Sequence, residues 1–339
     1  MLSLVVIIVA AALIFDYING FHDAANSVAT VVATRVLSPF QAVLWAGFFN
    51  FASVFSFGTG VAHTVGAGMV DMTMVTPYVI LSGLIGAIIW DLFTWWLGLP
   101  TSSSHALFGG YAGAAMAHVA HLKGVAHAAD VILWKGWIGT LFFMVASPII
   151  GLVLAYLLMV CIYWLFRRST PRKMDVYFRK LQLFSAAVYS YAHGTNDAQK
   201  TMGIITLVLV TGGYLEKFEV PVWVMLSACG AIALGTLTGG WRIVRTMGVR
   251  LTRLRPRGGF CAEAAAATSI LLATHLHIGV STTHVITGAI AGVGSIRRVK
   301  AVRWGVAANI IWAWIFTIPA AALVAACCFA LIRVFVRES

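Results

Sequence analysis

The sequence predicts an all-α polytopic membrane protein with about ten membrane segments in two inverted-topology repeats containing broken helices or re-entrant hairpins. Three observations carry that expectation. Of 339 residues, 60% are hydrophobic and only 10% are charged, a balance far from that of soluble domains. Apolar runs long enough to cross a hydrocarbon core of roughly 30 Å recur about ten times along the chain. Two polar motifs each occur twice, in the same order, once in each half.

The first segment, near 2–34, opens with Met1–Phe15, "MLSLVVIIVAAALIF". It has no basic n-region and no small-residue cleavage site, so it reads as a retained span rather than a signal peptide. Segments near 40–64, 77–97, 100–118 and 131–166 complete the first set. The stretch 167–180, "RRSTPRKMDVYFRK", separates them from a second set near 181–210, 218–240, 260–276, 279–295 and 304–332. The expected organisation is therefore membrane repeat 1 over 1–166, a basic cytoplasmic linker over 167–180 and membrane repeat 2 over 181–339.

The net charge of +12 does not point to nucleic acid, because the Lys and Arg residues gather in three connections: 167–180, Arg242–Arg257 and Arg297–Arg303. Basic connections stay in the cytoplasm, and five crossings before the linker put the N-terminus outside. Arg333 and Arg337, at the opposite end, fit that orientation poorly. The same loops can touch anionic lipid as a secondary effect. The five cysteines lack metal-type spacing and read as packing residues. Trp134, Trp137, Trp223 and Trp304 read as interfacial anchors. His118, His121 and His127 read as solvated residues around an external loop, with only Asp130 as a neighbouring carboxylate.

The first duplicated motif is "GFHDAANS" at Gly20–Ser27, which returns as "GTNDAQKT" at Gly194–Thr201, an offset of 174 residues. Positions three and four apart share a helix face, so Asp16, Asn19, Asp23, Asn26 and Thr30 form one polar stripe. Ser190, His193, Asp197 and Lys200 form its counterpart. Gly20 and Gly194 are expected to break the two helices and free backbone carbonyls. An ionised Asp at a membrane-helix centre costs roughly 2.5–3.5 kcal/mol on insertion scales, and its recurrence argues against mere interhelical glue. Clustered Asp and Asn oxygens suit Na⁺, Mg²⁺ or Ca²⁺, or they carry a proton.

The second motif, "TSSSHALFGG" from Thr101, returns as "VSTTHVITGA" from Val280, at an offset of 179. In each copy a helix breaker, Pro100 or Gly279, precedes three hydroxyl residues and a histidine, His105 or His284. That pattern starts a helix. The hydroxyls either cap free N–H groups or, with those N–H groups and the helix dipole, bind an anion. Two copies facing each other would make a small chamber suited to a tetrahedral oxyanion. In the segment count each copy is separated from its mate by an odd number of crossings, which makes the repeats inverted, as in secondary transporters. Asp91 and Glu263 stand upstream of the two hydroxyl motifs, as part of a co-ion path or of an internal salt bridge.

Together these residues resemble the inorganic phosphate transporter (PiT) family, whose hallmarks are a duplicated "GxNDxxN"-like and a duplicated "PxSxxH"-like sequence. The resemblance covers essentially the whole chain, and His22 and Lys200 make it similar to the branch of bacterial low-affinity phosphate permeases. It implies a multi-pass protein of the cell (inner) membrane, a homodimeric assembly in the lipid bilayer, no enzymatic activity and no cofactor. Phosphate would be bound by Ser102, Ser103, Ser104, Ser281, Thr282 and Thr283. His22, Asp23, Asn26, Asn196, Asp197 and Lys200 would handle the co-ion, with Asp16, Asn19, His105, His284, Asp91 and Glu263 as secondary candidates. His22 and Lys200 stand where sodium-coupled members carry Asn, which favours H⁺ over Na⁺, with Mg²⁺ or Ca²⁺ travelling as a metal–phosphate complex. Two rival readings remain open on the residues alone: a sulfate permease on the same scaffold, and an intramembrane hydrolase pairing Ser102 or Ser104 with His105 or His284.

Overall fold

Proline and glycine set most of the helix boundaries. Pro39, Pro77, Pro171 and Pro256 each occupy a first helical position, where a missing N–H is harmless. The structure is a computed structural model that describes residues 2–56, 58–296 and 298–335. Among these it holds twelve α-helices and no β-sheet. The first half contains α1 (Leu2–Ala33), α2 (Pro39–Ala52), α3 (Gly60–Ala67), α4 (Pro77–Leu97), α5 (Ser103–Lys123) and α6 (Trp134–Leu165). The second contains α7 (Pro171–Thr211), α8 (Val222–Thr238), α9 (Trp241–Arg245), α10 (Pro256–His275), α11 (Thr282–Ser295) and α12 (Trp304–Phe335).

The ten expected segments fall on these helices, with α2–α3 and α8–α9 each counting as one unit. Helices α1, α4, α6 and α12 are long and apolar enough to span a membrane alone, and the two pairs, bent by 86° and 61°, qualify as broken spans. Of the other four, α5, α7 and α11 each carry one copy of a polar motif, the fourth copy being on α1, and α11 has only 14 residues.

Helices α4 and α5 pack as a hairpin around the "GLPT" turn, and α10 and α11 pack around "LHIGVS". Gly98 ends α4 in the left-handed conformation with φ 68°. His277 adopts the same conformation, φ 61°, at the matching place after α10. The two hairpin tips meet: the rings of His105 and His284 stand edge to face, 4.7 Å apart.

Each hairpin leans on a long helix of the other half of the sequence. Helix α5 packs on α12, and α11 packs on α6. The contact is made by glycines one turn apart, which let backbones approach closely. A Cβ on Gly109 or Gly113 would stand 2.4 or 2.3 Å from the carbonyls of Ile318 or Ala322, and on Gly288 or Gly292 2.1 or 2.2 Å from those of Pro148 or Leu152.

The hydrophobic interior is divided in two. One core takes α1 as far as Phe15 and α7 from Ala198 onward, together with α3, α4, α5 and α8. The other takes α1 from Ala25 and α7 up to Ala192, together with α2, α6, α9, α10 and α11. Between them lies a polar layer that holds both copies of the first motif.

Several expectations change. The basic stretch 167–180 is not simply a loop, because α7 begins at Pro171. At 41 residues, or about 60 Å, α7 is twice the hydrocarbon thickness, so its basic first turns extend beyond the apolar layer. Gly20 and Gly194 do not break their helices. They are contact points, with an added Cβ lying 2.1 Å from Ile232 O and 2.6 Å from Asn50 O. His118 is buried inside α5 against Phe329, not solvated. Trp137 is also buried and donates to Met69 O, whereas Trp134, Trp223 and Trp304 are exposed. Arg297 and Arg337 lie outside the described residues.

Candidate functional site

The site forms where α1 and α7 cross the polar layer and the two hairpin tips close on it. Both tips begin their helices with the expected caps. Ser102 Oγ accepts from His105 N at 3.3 Å, and Ser281 Oγ accepts from His284 N at 3.2 Å. Capping therefore occupies the first hydroxyl of each trio and leaves the next two free to face the centre.

In the second copy, the Lys200 ammonium donates to Asp197 Oδ1, to Ser104 Oγ at 2.5 Å and to Val280 O at 2.8 Å. One side chain on α7 thus holds both hairpin tips. The other oxygen of Asp197 accepts from Thr282 Oγ1 and faces His193 Nε2, each at 3.3 Å. His193 is held through Nδ1 by Asn50 Oδ1 at 3.0 Å, and Asn50 in turn donates to Thr236. Asn196 donates to Thr274 Oγ1 at 2.7 Å and to Ile278 O at 3.3 Å, tying α7 to the second tip.

In the first copy, Asp23 Oδ1 pairs with His22 Nδ1 at 2.7 Å, and Asp23 Oδ2 accepts from Thr283 Oγ1 at 3.2 Å. Asn26 Nδ2 donates to Thr283 Oγ1 at 2.8 Å. His22 Nε2 contacts Thr94 and Thr101 hydroxyls, both at 3.3 Å. All of these side chains are buried.

The two copies converge. One ligand-type atom from each of Asp23, His193 and Asp197 lies within 4.8 Å of the others. Two carboxylates so close in a dry interior require compensating positive charge. Lys200 supplies one unit beside Asp197, and His22 is the basic side chain in contact with Asp23. The same three ligands also suit a hard divalent cation, although three protein ligands leave most of its coordination to water or substrate oxygens.

The remaining candidates surround this centre. Asp16 is fully buried with neither oxygen hydrogen-bonded, and Asn19 and Thr201 face it. Asp91 is likewise buried without a hydrogen-bonded oxygen, among His22, Asp23 and Ser103. Ser103 Oγ has no hydrogen-bond partner. His284 stacks on Trp314 at 3.8 Å, and His105 packs against Phe108 and His284 with Lys200 and Asp197 nearby. Glu263 is separate from the centre and makes no salt bridge among the described residues: it accepts from Gln182 Nε2 at 2.9 Å and from Ser185 Oγ at 2.5 Å. The sequence motifs assign no binding role to His193, although it lies on the second polar stripe, or to Thr94, Thr101 and Asn50. His193 was visible as the residue one turn before Asp197, whereas Asn50 is one polar residue in an apolar run.

The geometry does not support a Ser/His nucleophile pair, because Ser104 Oγ faces an ammonium and Ser102 Oγ caps its own helix. A profile described as "Phosphate transporter family" matches residues 19–325. A Rhizobium meliloti protein named probable low-affinity inorganic phosphate transporter is 54% identical over 327 residues, covering 96% of both chains. A Bacillus subtilis protein of the same name is 42% identical over 334 residues, again covering 96% of both. Among solved structures, one described as the sodium-dependent phosphate transporter has a TM-score of 0.87 and 24% identity, covering 98% of this chain and 100% of that one. That last likeness concerns the fold.

Proposed function

The chain belongs to the phosphate transporter family, and from that premise we propose that it carries inorganic phosphate across the cell membrane together with a proton. The carrying observation is the convergence of Asp23, His193 and Asp197 within 4.8 Å, between two hydroxyl-bearing hairpin tips. Phosphate enters between the tips, where Ser103, Ser104, Thr282 and Thr283 and the first N–H groups of α5 and α11 offer donors. The hydroxyls now spent on Asp23, Asp197 and Lys200 turn to the anion.

Protons rather than sodium are favoured by the charges present. Lys200 already supplies a tethered cation beside Asp197, and the 2.7 Å contact between His22 and Asp23 gives a proton a place to reside and leave. The Asp23, His193 and Asp197 cluster also favours a divalent metal accompanying phosphate as cargo. A division into the two repeats expected from the sequence, 1–166 and 181–339, is supported by the contact of Asn26 with Thr283, which matches that of Lys200 with Ser104 at the repeat offsets.

The experiment is uptake of labelled phosphate by purified protein in liposomes, with proton and sodium gradients imposed separately. Proton-driven accumulation is the expected result, and accumulation driven by sodium alone would overturn the co-ion assignment. Unlabelled sulfate added in excess tests the anion. A protonated phosphate can donate to Asp23 or Asp197 and sulfate cannot, so sulfate should compete weakly.

A further inference from the structure

The basic connections of the second half enclose a cavity. It has a volume of about 680 Å³ and opens between the C-terminal part of α6, the α9–α10 connection, the far end of α11 and the segment leading into α12. Arg253, Arg255, Arg257, Lys300 and Arg303 line it, and no Asp or Glu does. It is distinct from the central site: Val293 and Gly294 in its wall lie eleven residues beyond Thr282 and Thr283, or roughly 16 Å along α11.

Arg257 is the telling residue. It is 4% exposed, and its Nε has no hydrogen-bond partner. Its guanidinium lies over the Tyr163 ring at 5.2 Å, and Nη1 has the sulfur of Met174, at 4.0 Å, as a weak acceptor. None of the five cations forms an ion pair among the described residues. A buried guanidinium without a counter-charge is costly, and four more cations around the same cavity repel it. Pro256 begins α10, and the first helical bond there runs from Gly259 N to Arg255 O at 2.9 Å. The N–H groups of Arg257 and Gly258 precede it and add anion donors at the cavity wall.

The wall is held in shape by the backbone. Arg303 N donates to Leu251 O at 3.0 Å and Thr252 Oγ1 to Ala301 O at 3.3 Å, clamping the two basic segments together. Planar guanidinium forks beside free N–H groups match the several oxygens of a phosphate group. The volume also exceeds what a single orthophosphate fills.

We propose that this cavity binds a phosphate-bearing anion, supplied either as an anionic phospholipid headgroup or as soluble phosphate or pyrophosphate, and that the anion braces the base of the α10–α11 hairpin. The inference does not depend on the transport reading, because these residues lie outside the central site.

The test compares thermal unfolding of the full chain in nanodiscs of zwitterionic lipid, in discs containing cardiolipin, and in zwitterionic discs with added pyrophosphate. Each is repeated for Arg255→Gln/Arg303→Gln. The expected result is a rise in midpoint of several degrees in one ligand arm that the double variant loses. A rise with cardiolipin identifies the lipid headgroup, and a rise with pyrophosphate identifies the soluble anion. No rise in either arm, or a rise that the variant keeps, overturns the proposal. If that variant does not fold, Arg253→Gln/Lys300→Gln removes two exposed cations from the same wall and is read the same way.

Discussion

Replacing Lys200 by methionine keeps an unbranched side chain, one atom shorter, and removes its charge, so it tests what the ammonium does for Asp197. Lys200 is 1% exposed and donates to Asp197, Ser104 and Val280. Breaking a buried pair by deleting one partner costs about 3–5 kcal/mol, because the other charge stays buried without compensation. Asp197 would keep only His193 and Thr282, each at 3.3 Å. Adding Asp197→Asn removes the stranded charge, leaving mainly Ser104 and Val280 with a lost donor, at about 1 kcal/mol each. The double variant should therefore be more stable than Lys200→Met by roughly 1–3 kcal/mol. At about 2 °C per kcal/mol, its unfolding midpoint in phosphate-free detergent, followed by tryptophan fluorescence, should lie roughly 2–6 °C higher. A double variant no more stable than Lys200→Met refutes the reasoning, since Asp197 would then not be a charge that relies on Lys200.

Asp23→Asn should abolish proton-coupled uptake while the protein still inserts and elutes as a single species; normal coupled uptake in proteoliposomes would contradict the role given to the Asp23–His22 pair. Gly288→Val pushes a side chain into the Pro148 carbonyl, 2.1 Å from the Cβ position. It should cost at least about 1–3 kcal/mol, whereas Gly139→Val, with nothing within 4 Å, serves as the tolerated control; yield and monodispersity report both. His277 holds φ 61°, a conformation costing a non-glycine residue about 1–2 kcal/mol. His277→Gly should therefore raise the thermal midpoint, and a fall would mean that the imidazole packing near Gly60 outweighs the backbone strain.

The parts of this molecule readable from residues were those where chemistry conflicts with the bilayer. A carboxylate at Asp23 or Asp197 is conspicuous in an apolar run, and "GLPTSSSH" announces a helix start because Gly98 and Pro100 stop one helix and Ser102 caps the next. Which long helix supports which hairpin was not readable. A Leu- and Ile-rich face suits lipid and protein alike, so nothing in α6 or α12 names its partner. The glycine pairs Gly109/Gly113 and Gly288/Gly292 were visible as small-residue spacing, but they mark a close contact without saying with what. The basic stretch after Arg167 looked like a connection because its charges are incompatible with the hydrocarbon. They are compatible with a helix long enough to leave it.

Among the positions where the two copies of the central site differ, one pair predicts how its cation selectivity can be changed. Asn26 and Lys200 are counterparts at the 174-residue offset, and Thr283 and Ser104 are counterparts at 179. Asn26 reaches Thr283 just as Lys200 reaches Ser104, so an amide in one copy stands where an ammonium stands in the other. Around that ammonium lie three oxygens: a carboxylate from Asp197, a hydroxyl from Ser104 and the Val280 carbonyl in the unwound stretch between α10 and α11. Carboxylate, hydroxyl and unwound carbonyl oxygens are what a bound sodium ion uses in broken-helix transporters. Lys200→Asn removes the tethered charge and adds a fourth oxygen, so the charge required by Asp197 must then come from solution. Phosphate uptake by this variant should rise with external sodium at fixed pH, while that of the parent protein stays flat. A variant that still transports phosphate with no response to sodium would show that Lys200 does not occupy the place of a mobile cation.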